Sequence, residues 1–404
     1  MKKNNKKHYE LTILNPHVDD FYCAPVSFFF LKRKALRKYA YILDRATTSF
    51  SKLNILIDCR LSSLIPHQFF IKLPFLVRKF FLIFEIYVWK KLNKIDSHIK
   101  IHWSSNSISC KKYIYMTSYK NALGDLSKEK TDLHNFDIKI INMSHYFILT
   151  AEKSKNIKLI KNVVLTSEVD LNVSKYFCFH FGKKYKFFAL PFEVSPNFYK
   201  FNNFSKRARS CAASGTFHNL KREISNYLYQ DFLDFFKTDT YHPIRKKIYY
   251  LQALLAGSIV SRISKYRSES FYKDKFIFVS FLNFFDVSQK SYFRFDMNKF
   301  YNSHLFAVSG EELSGCPTVG SFEAMASGAA VFLTKTYSYR PLGLRAGVHY
   351  IAYDGSLADL ISKIRLFKDK KRIVQDISNN AVNFIKTNCS RSALNLSFYK
   401  QLTS

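Results

Sequence analysis

Residues 314–334, SGCPTVGSFEAMASGAAVFLT, read as a loop, a short helix, a glycine stop and a buried strand. Thr318 is placed as an N-cap, which turns the backbone N–H groups of Val319, Gly320 and Ser321 outward at the positive end of the helix. Gly320 has no side chain, so a ligand can approach the backbone there. Phe322, Met325 and Ala326 recur at helical spacing and face the core. Glu323 is left near the open end of the same helix, where a carboxylate accepts hydrogen bonds from sugar hydroxyls. Gly328 then supplies the turn before the apolar run Ala329–Leu333. The bland alternative is a helix packed between strands, with Glu323 merely solvated. Two other phosphate motifs are excluded. Gly315 and Gly320 have P-loop spacing, but no lysine follows Gly320, and no GxGxxG occurs anywhere in the chain.

Outward from this stretch, short apolar runs ending in polar loops recur through the first half, at Leu53–Ile57, Ile99–Trp103, Tyr113–Met116, Ile138–Ile141, Val163–Leu165 and Phe187–Leu190. This spacing predicts a doubly wound α/β domain that ends near Pro191–Phe198. The second half repeats the alternation, with strands expected at Ser210–Ala213, Phe276–Val279, Leu305–Val308, Ala330–Leu333 and His349–Ala352. Helices follow at Ser356–Phe367 and Ile373–Lys386, and a last one, Ala393–Leu402, is placed to cross back to the first domain. The division expected is 1–195 and 196–388 for two Rossmann-like domains facing a cleft, and 389–404 for the returning helix. Open sheets of this kind bind ligands outside the carboxyl ends of their strands.

The 404 residues suit two domains, and 47% hydrophobic residues make a globular chain. A formal charge of +33 attracts nucleic acid, anionic lipid headgroups or phosphorylated substrates. The lysines are scattered over the whole length, so part of this charge reads as a solvated basic surface. Seven cysteines without a CxxC pair indicate neither a disulfide framework nor a structural zinc site, and reduced thiols point to the cytosol. The basic N-terminus lacks the apolar core of a signal peptide, and no run of about twenty apolar residues predicts a membrane span.

The run from Phe322 to Ile364, FEAMASGAAVFLTKTYSYRPLGLRAGVHYIAYDGSLADLISKI, resembles the nucleotide-sugar half of glycosyltransferases with the GT-B fold, in particular the group related to family 1. The resemblance implies two Rossmann-like domains and a nucleotide-diphosphate sugar as co-substrate. It implies further that Glu323 binds the ribose and that the amides around Gly320 and Ser321 hold the diphosphate. Many members carry another glutamate eight positions earlier, where this chain has Gly315; Glu311 and Glu312 are the nearest acids.

Glycosyl transfer needs a positive group for the departing diphosphate and a base for the acceptor hydroxyl. For the first, SCAASGTFHNLKRE reads as strand, loop and helix. Gly215 and Thr216 let that loop pass close to a phosphate, and Lys221 or Arg222 can neutralise it, against the alternative that both are ordinary surface charges. For the second, His145 follows the strand at Ile138–Ile141 and is the candidate base, although a lone histidine is more often structural. His17, Asp19 and Asp20 offer a second choice, and Glu168, ending another strand, can orient a partner. His349 reads as a packing or cleft-edge residue. No Asp-x-Asp occurs, and His98 with His102 lacks a third ligand, so no metal is expected.

The segment 74–92, PFLVRKFFLIFEIYVWKKL, predicts a helix started by proline and apolar around most of its surface. It either packs within its own domain or lies in a membrane interface with its lysines and arginine facing headgroups. Together these features predict a metal-independent glycosyltransferase acting on a glycan or lipid-linked acceptor in surface polysaccharide or glycoconjugate synthesis, in the cytoplasm or peripheral on the inner face of a membrane. The alternatives are a nucleic-acid-binding protein, for which no recognised motif is present, and a catalytically silent glycan-binding relative.

Overall fold

The computed structural model describes residues 10–15, 42, 52–60, 62, 67–92, 99–116, 135–143, 146–199, 203–220, 226–265, 296–335 and 337–404. Among these, the first sheet holds β1 (Glu10–Leu14), β2 (Lys52–Leu56), β3 (Lys100–His102), β4 (Tyr113–Met116), β5 (Ile138–Asn142), β6 (Val163–Ser167) and β7 (Phe187–Ala189). All pair in parallel, in the order β3-β2-β1-β4-β5-β6-β7. The second sheet holds β8 (Ala208–Phe217), β9 (Ile259–Lys265), β10 (His304–Val308), β11 (Ala330–Thr334) and β12 (Ile351–Tyr353). It too is parallel, in the order β12-β11-β10-β8-β9.

Near-continuous burial of strands such as β10, HLFAV, is what a parallel sheet covered by helices on both faces demands. The order in which strands are added reverses between β1 and β4 in the first sheet and between β8 and β10 in the second, so each sheet opens a crevice at its carboxyl edge there. The strand expected at Phe276–Val279 lies outside the described residues. β9 is not an apolar run at all: IVSRISK alternates, with Ile259 and Ile263 buried and Val260 exposed.

The helices that matter below are α1 (Phe75–Leu92), α2 (Thr150–Lys158), α3 (Lys175–Phe181), α4 (Gln230–Phe236), α5 (Pro243–Tyr250), α6 (Met297–Asn302), α7 (Val319–Ala326), α8 (Leu357–Phe367), α9 (Lys371–Asn388) and α10 (Arg391–Thr403). α10 does cross to the first sheet. Its Leu394, Phe398 and Leu402 join the core formed with β1, β2 and β7, and Phe398 meets Phe188 edge to face at 6.2 Å. Arg391 pairs with Glu193 at 2.7 Å at the start of that crossing.

Chain from the second half also completes a first-half core. Phe232 and Tyr241, on either side of the end of α4, stack around Phe147, and Phe235 and Phe236 close on Tyr176. Two backbone anchors fix this junction: Leu149 N–H donates to Leu228 O, and Ala151 N–H donates to the Asp231 carboxylate, both at 2.8 Å. The two halves therefore share a continuous aromatic cluster beside the cleft.

The sequence left open whether α1 packs within its own domain or presents its lysines and arginine to headgroups, and the structure shows what its charged side chains touch. Glu85 is buried and accepts a hydrogen bond from Ser62, Arg78 donates to Cys59 O at 3.1 Å, and Lys79 lies over the rings of Phe75 and Trp103. Leu82 and Ile86 pack beneath the helix, and the opposite, apolar side is the exposed one. Among the described residues no helix is long and apolar enough to cross a membrane.

Candidate active site

The crevice between β8 and β10 is built around an arginine. α5 starts at Pro243, whose fixed φ suits the first turn and whose missing N–H costs nothing there. Two residues on, Arg245 reaches back across the carboxyl ends of both strands. Its Nη1 donates to Thr216 O at the end of β8 at 2.8 Å, and its Nε donates to Ser309 O just past β10. The side chain is buried. Gly215, at φ +118°, is shaped to receive it: a Cβ there would lie 2.6 Å from the guanidinium carbon. Gly310, at φ +61°, lets the next loop press against the same helix, since its Cβ would meet Ile244 at 2.5 Å. Gly215 thus serves the arginine directly, where the sequence suggested contact with a phosphate.

The loop after β10 is tied down by its first acid. Glu311 Oε1 accepts from Thr334 N–H at 2.7 Å, from Tyr339 OH at 2.9 Å and from Thr334 OH at 3.3 Å, joining the loops that follow β10 and β11. Its other oxygen is buried with no hydrogen-bond partner, and burial pushes the carboxyl above its ordinary pKa. His242, at the start of α5, places its Nδ1 3.3 Å from Glu311 O. Glu312 accepts from Ser314 OH at 3.1 Å.

Ser314 O is where the first half reaches the loop. Tyr146 OH donates to it at 3.0 Å and Ser174 OH at 2.8 Å, from the segments that follow β5 and β6. Gly315, at φ +90°, leaves room for this approach. The turn at residues 337–339 lies against residues 171–173 in the same way. The loops after β10 and β11 therefore face the loops after β5 and β6 across the cleft.

α7 opens onto this junction. Thr318 occupies the N-cap position with extended backbone, but its hydroxyl bonds to Ser321 OH at 3.1 Å and caps no amide. Ser321 N–H is taken by Thr318 O at 3.0 Å, so Val319 and Gly320 carry the amides of the open end. Gly320 is buried, and its absent side chain makes room for protein: a Cβ would press into Ser309 Oγ and lie 3.1 Å from Tyr301 OH. The space a side chain would take is filled by Ser309, just past β10, and by Tyr301 of α6. Glu323 is buried one turn into the helix. The far end is held by Arg207, which donates to the carbonyls of Gly328 and Ser327, and by Ser378.

On the first-half side, Glu168 is buried at the end of β6 and accepts from Ser167 OH at 3.1 Å. His145, Lys221, Arg222, His17, Asp19, Asp20 and His98 all lie outside the described residues. His349 packs on Phe384 and accepts from Arg345 N–H at 3.0 Å, and burial lowers its pKa. His102 is buried between Asn54 and Ser107. Sequence reasoning missed Arg245, whose only local signal is its place just after a helix-starting proline. It also missed Tyr146 and Ser174, whose partner is more than a hundred residues away.

The crevice thus gathers a guanidinium, the open end of a helix and buried carboxylates at one carboxyl edge, a set able to hold a phosphorylated ligand and accept hydrogen bonds from its hydroxyls. No family model matches the chain, and no curated protein matches it in sequence. Among solved structures, sucrose-phosphate synthase from Thermosynechococcus elongatus is 10% identical over 98% of this chain and 99% of its own, with a TM-score of 0.51. Anabaena Alr3699/HepE in complex with UDP-glucose is 11% identical over 98% and 100%, with a TM-score of 0.47. A glycosyltransferase from Rickettsia africae is 12% identical over 98% and 99%, with a TM-score of 0.42. The chain accordingly has the GT-B glycosyltransferase fold, with two parallel α/β domains facing a crevice.

Proposed function

We propose that this protein is a glycosyltransferase that moves a sugar from a nucleoside-diphosphate donor to a glycan or lipid-linked acceptor, in the synthesis of surface polysaccharide or glycoconjugate. The observation that carries the reading is Arg245, fixed across the ends of β8 and β10 at the crevice of the second sheet. Charge builds on the diphosphate as the glycosidic bond breaks, and a cation already held in place costs no reorganisation at that moment. The amides of Val319 and Gly320 add a second positive end, so the donor is neutralised without a metal. Glu323 accepts hydrogen bonds from the ribose hydroxyls. Glu168, and His145 beyond the described residues, are the candidates for drawing the proton from the acceptor hydroxyl. The enzyme works in the cytoplasm, in peripheral contact with an anionic membrane through residues 74–92.

The test is a thermal-shift screen against UDP, GDP, CMP and their sugar conjugates, repeated with Glu323→Ala and Arg245→Lys. A ligand that binds only the folded state raises the melting point. We expect a nucleotide-specific rise that Glu323→Ala removes, and donor hydrolysis or transfer at least about 10²-fold slower in Arg245→Lys. No rise with any nucleotide, together with tight and salt-sensitive RNA binding, would favour the nucleic-acid reading that +33 also suggests. Donor binding without turnover would mark a silent relative.

A further inference from the structure

α1 exposes what a helix in a stable domain normally hides. At about 100° per residue, Leu76, Val77, Phe80, Ile83, Phe84 and Tyr87 fall within an arc of about 120°. All six are exposed, Leu76 to 77% and Phe80 to 72%. Between Leu76 and Tyr87 the stripe carries no charge of its own. It runs for about 16 Å along the helix and is continued by Phe69 and Ile71 in the turn before it. Isolated apolar side chains on a surface need no explanation, but a contiguous band of this size marks an interaction site.

The charge around the band selects its partner. Lys72 is exposed at one end, Lys79 and Lys90 run along one margin, and the only acid in the helix, Glu85, is turned inward onto Ser62. The chain as a whole carries +33. An apolar band with basic margins and no outward acid matches the two layers of an anionic bilayer surface, where acyl chains take the rings and headgroup phosphates take the lysines. A protein partner would have to supply an apolar face ringed by acids. The helix cannot span the bilayer, because Leu82 and Ile86 are committed to the core of its own domain.

We infer that α1 is a monotopic membrane-docking helix that lies in the plane of an anionic phospholipid surface, with Phe80 and Phe84 inserted among the acyl chains and Lys72 and Lys90 at headgroup level. This deepens the membrane part of the proposed function and stands without the donor site, since no residue of the β8–β10 crevice takes part. The docked face belongs to the first domain, on the connection between β2 and β3.

The experiment is flotation of the full chain with vesicles of about one part phosphatidylglycerol to three parts phosphatidylcholine, and with phosphatidylcholine alone. We expect binding to the anionic vesicles that weakens at least about tenfold in Phe80→Glu/Phe84→Glu and falls with added salt. Both residues are exposed, so the double variant keeps the melting point of the parent, and Phe80→Ser/Phe84→Ser provides a neutral check on the effect of charge. Equal binding by parent and variants would overturn the inference. So would an absence of vesicle binding, or sedimentation showing a dimer that the same substitutions dissociate, which would make the band an interface between two copies. The nucleotide screen is unaffected by any of these results, so either proposal can fail alone.

Discussion

Two helices of this molecule, α1 and α7, are apolar around most of their circumference, and the fold treats them in opposite ways. α7 is closed on every side. The second sheet lies beneath it, α9 and α6 lie against it, and Arg207 and Ser378 hold the carbonyls beyond its C-terminus, so only Val319 at its open end reaches solvent. α1 is closed on one side only, and its bulky residues divide between core and water. The difference lies in side-chain size. α7 is VGSFEAMA, with glycine, serine and alanines that let neighbours approach on several faces at once, whereas α1 carries large residues that hold neighbours away. An apolar sequence therefore does not say how many faces will be buried.

The comparison can be broken from either helix. The largest effect is expected on the inner side of α1, where Leu82→Ala should cost about 2–5 kcal/mol in chemical denaturation because the buried site cannot fully collapse. In α7, Gly320→Ala should cost about 1–3 kcal/mol by forcing a methyl group against Ser309 and Tyr301. The same change in a Ser309→Gly background should cost less, and an unchanged cost would show that the packing contact is not the reason for the glycine. The smallest effect belongs to the outer stripe. Phe80→Ser should move stability by no more than about 0.5 kcal/mol, since the ring is exposed in the free protein. A loss comparable to that of Leu82→Ala would mean that the stripe is covered by the chain itself.

The sheets are largely legible in the sequence. Runs such as Tyr113–Met116 and Ala330–Leu333 form strands within a residue of the expected limits, because a strand buried on both faces must be continuously apolar. β9 escapes this reading because an edge position buries one face only, and IVSRISK alternates accordingly. The site is legible in part. The loop and helix at 314–326 are local features, so their sequence describes them. Arg245 is not readable in this way, because its role comes from β8 and β10 lying side by side, and that adjacency depends on a crossover through β9. Gly320 teaches a narrower lesson. Its glycine is visible in the sequence, but what fills the vacated space is Ser309, just past the preceding strand, and Tyr301 of α6.

The return of α10 has a consequence for how the molecule is made. Leu394, Phe398 and Leu402 are synthesised long after β7, which ends at Ala189, yet they finish the core around β1, β2 and β7. At ordinary synthesis rates the ribosome needs on the order of 10–40 s to travel from β7 to these residues. During that interval the first sheet emerges with part of its apolar face bare, while the second sheet folds downstream of it. Closure of that core therefore waits until α10 has left the ribosome.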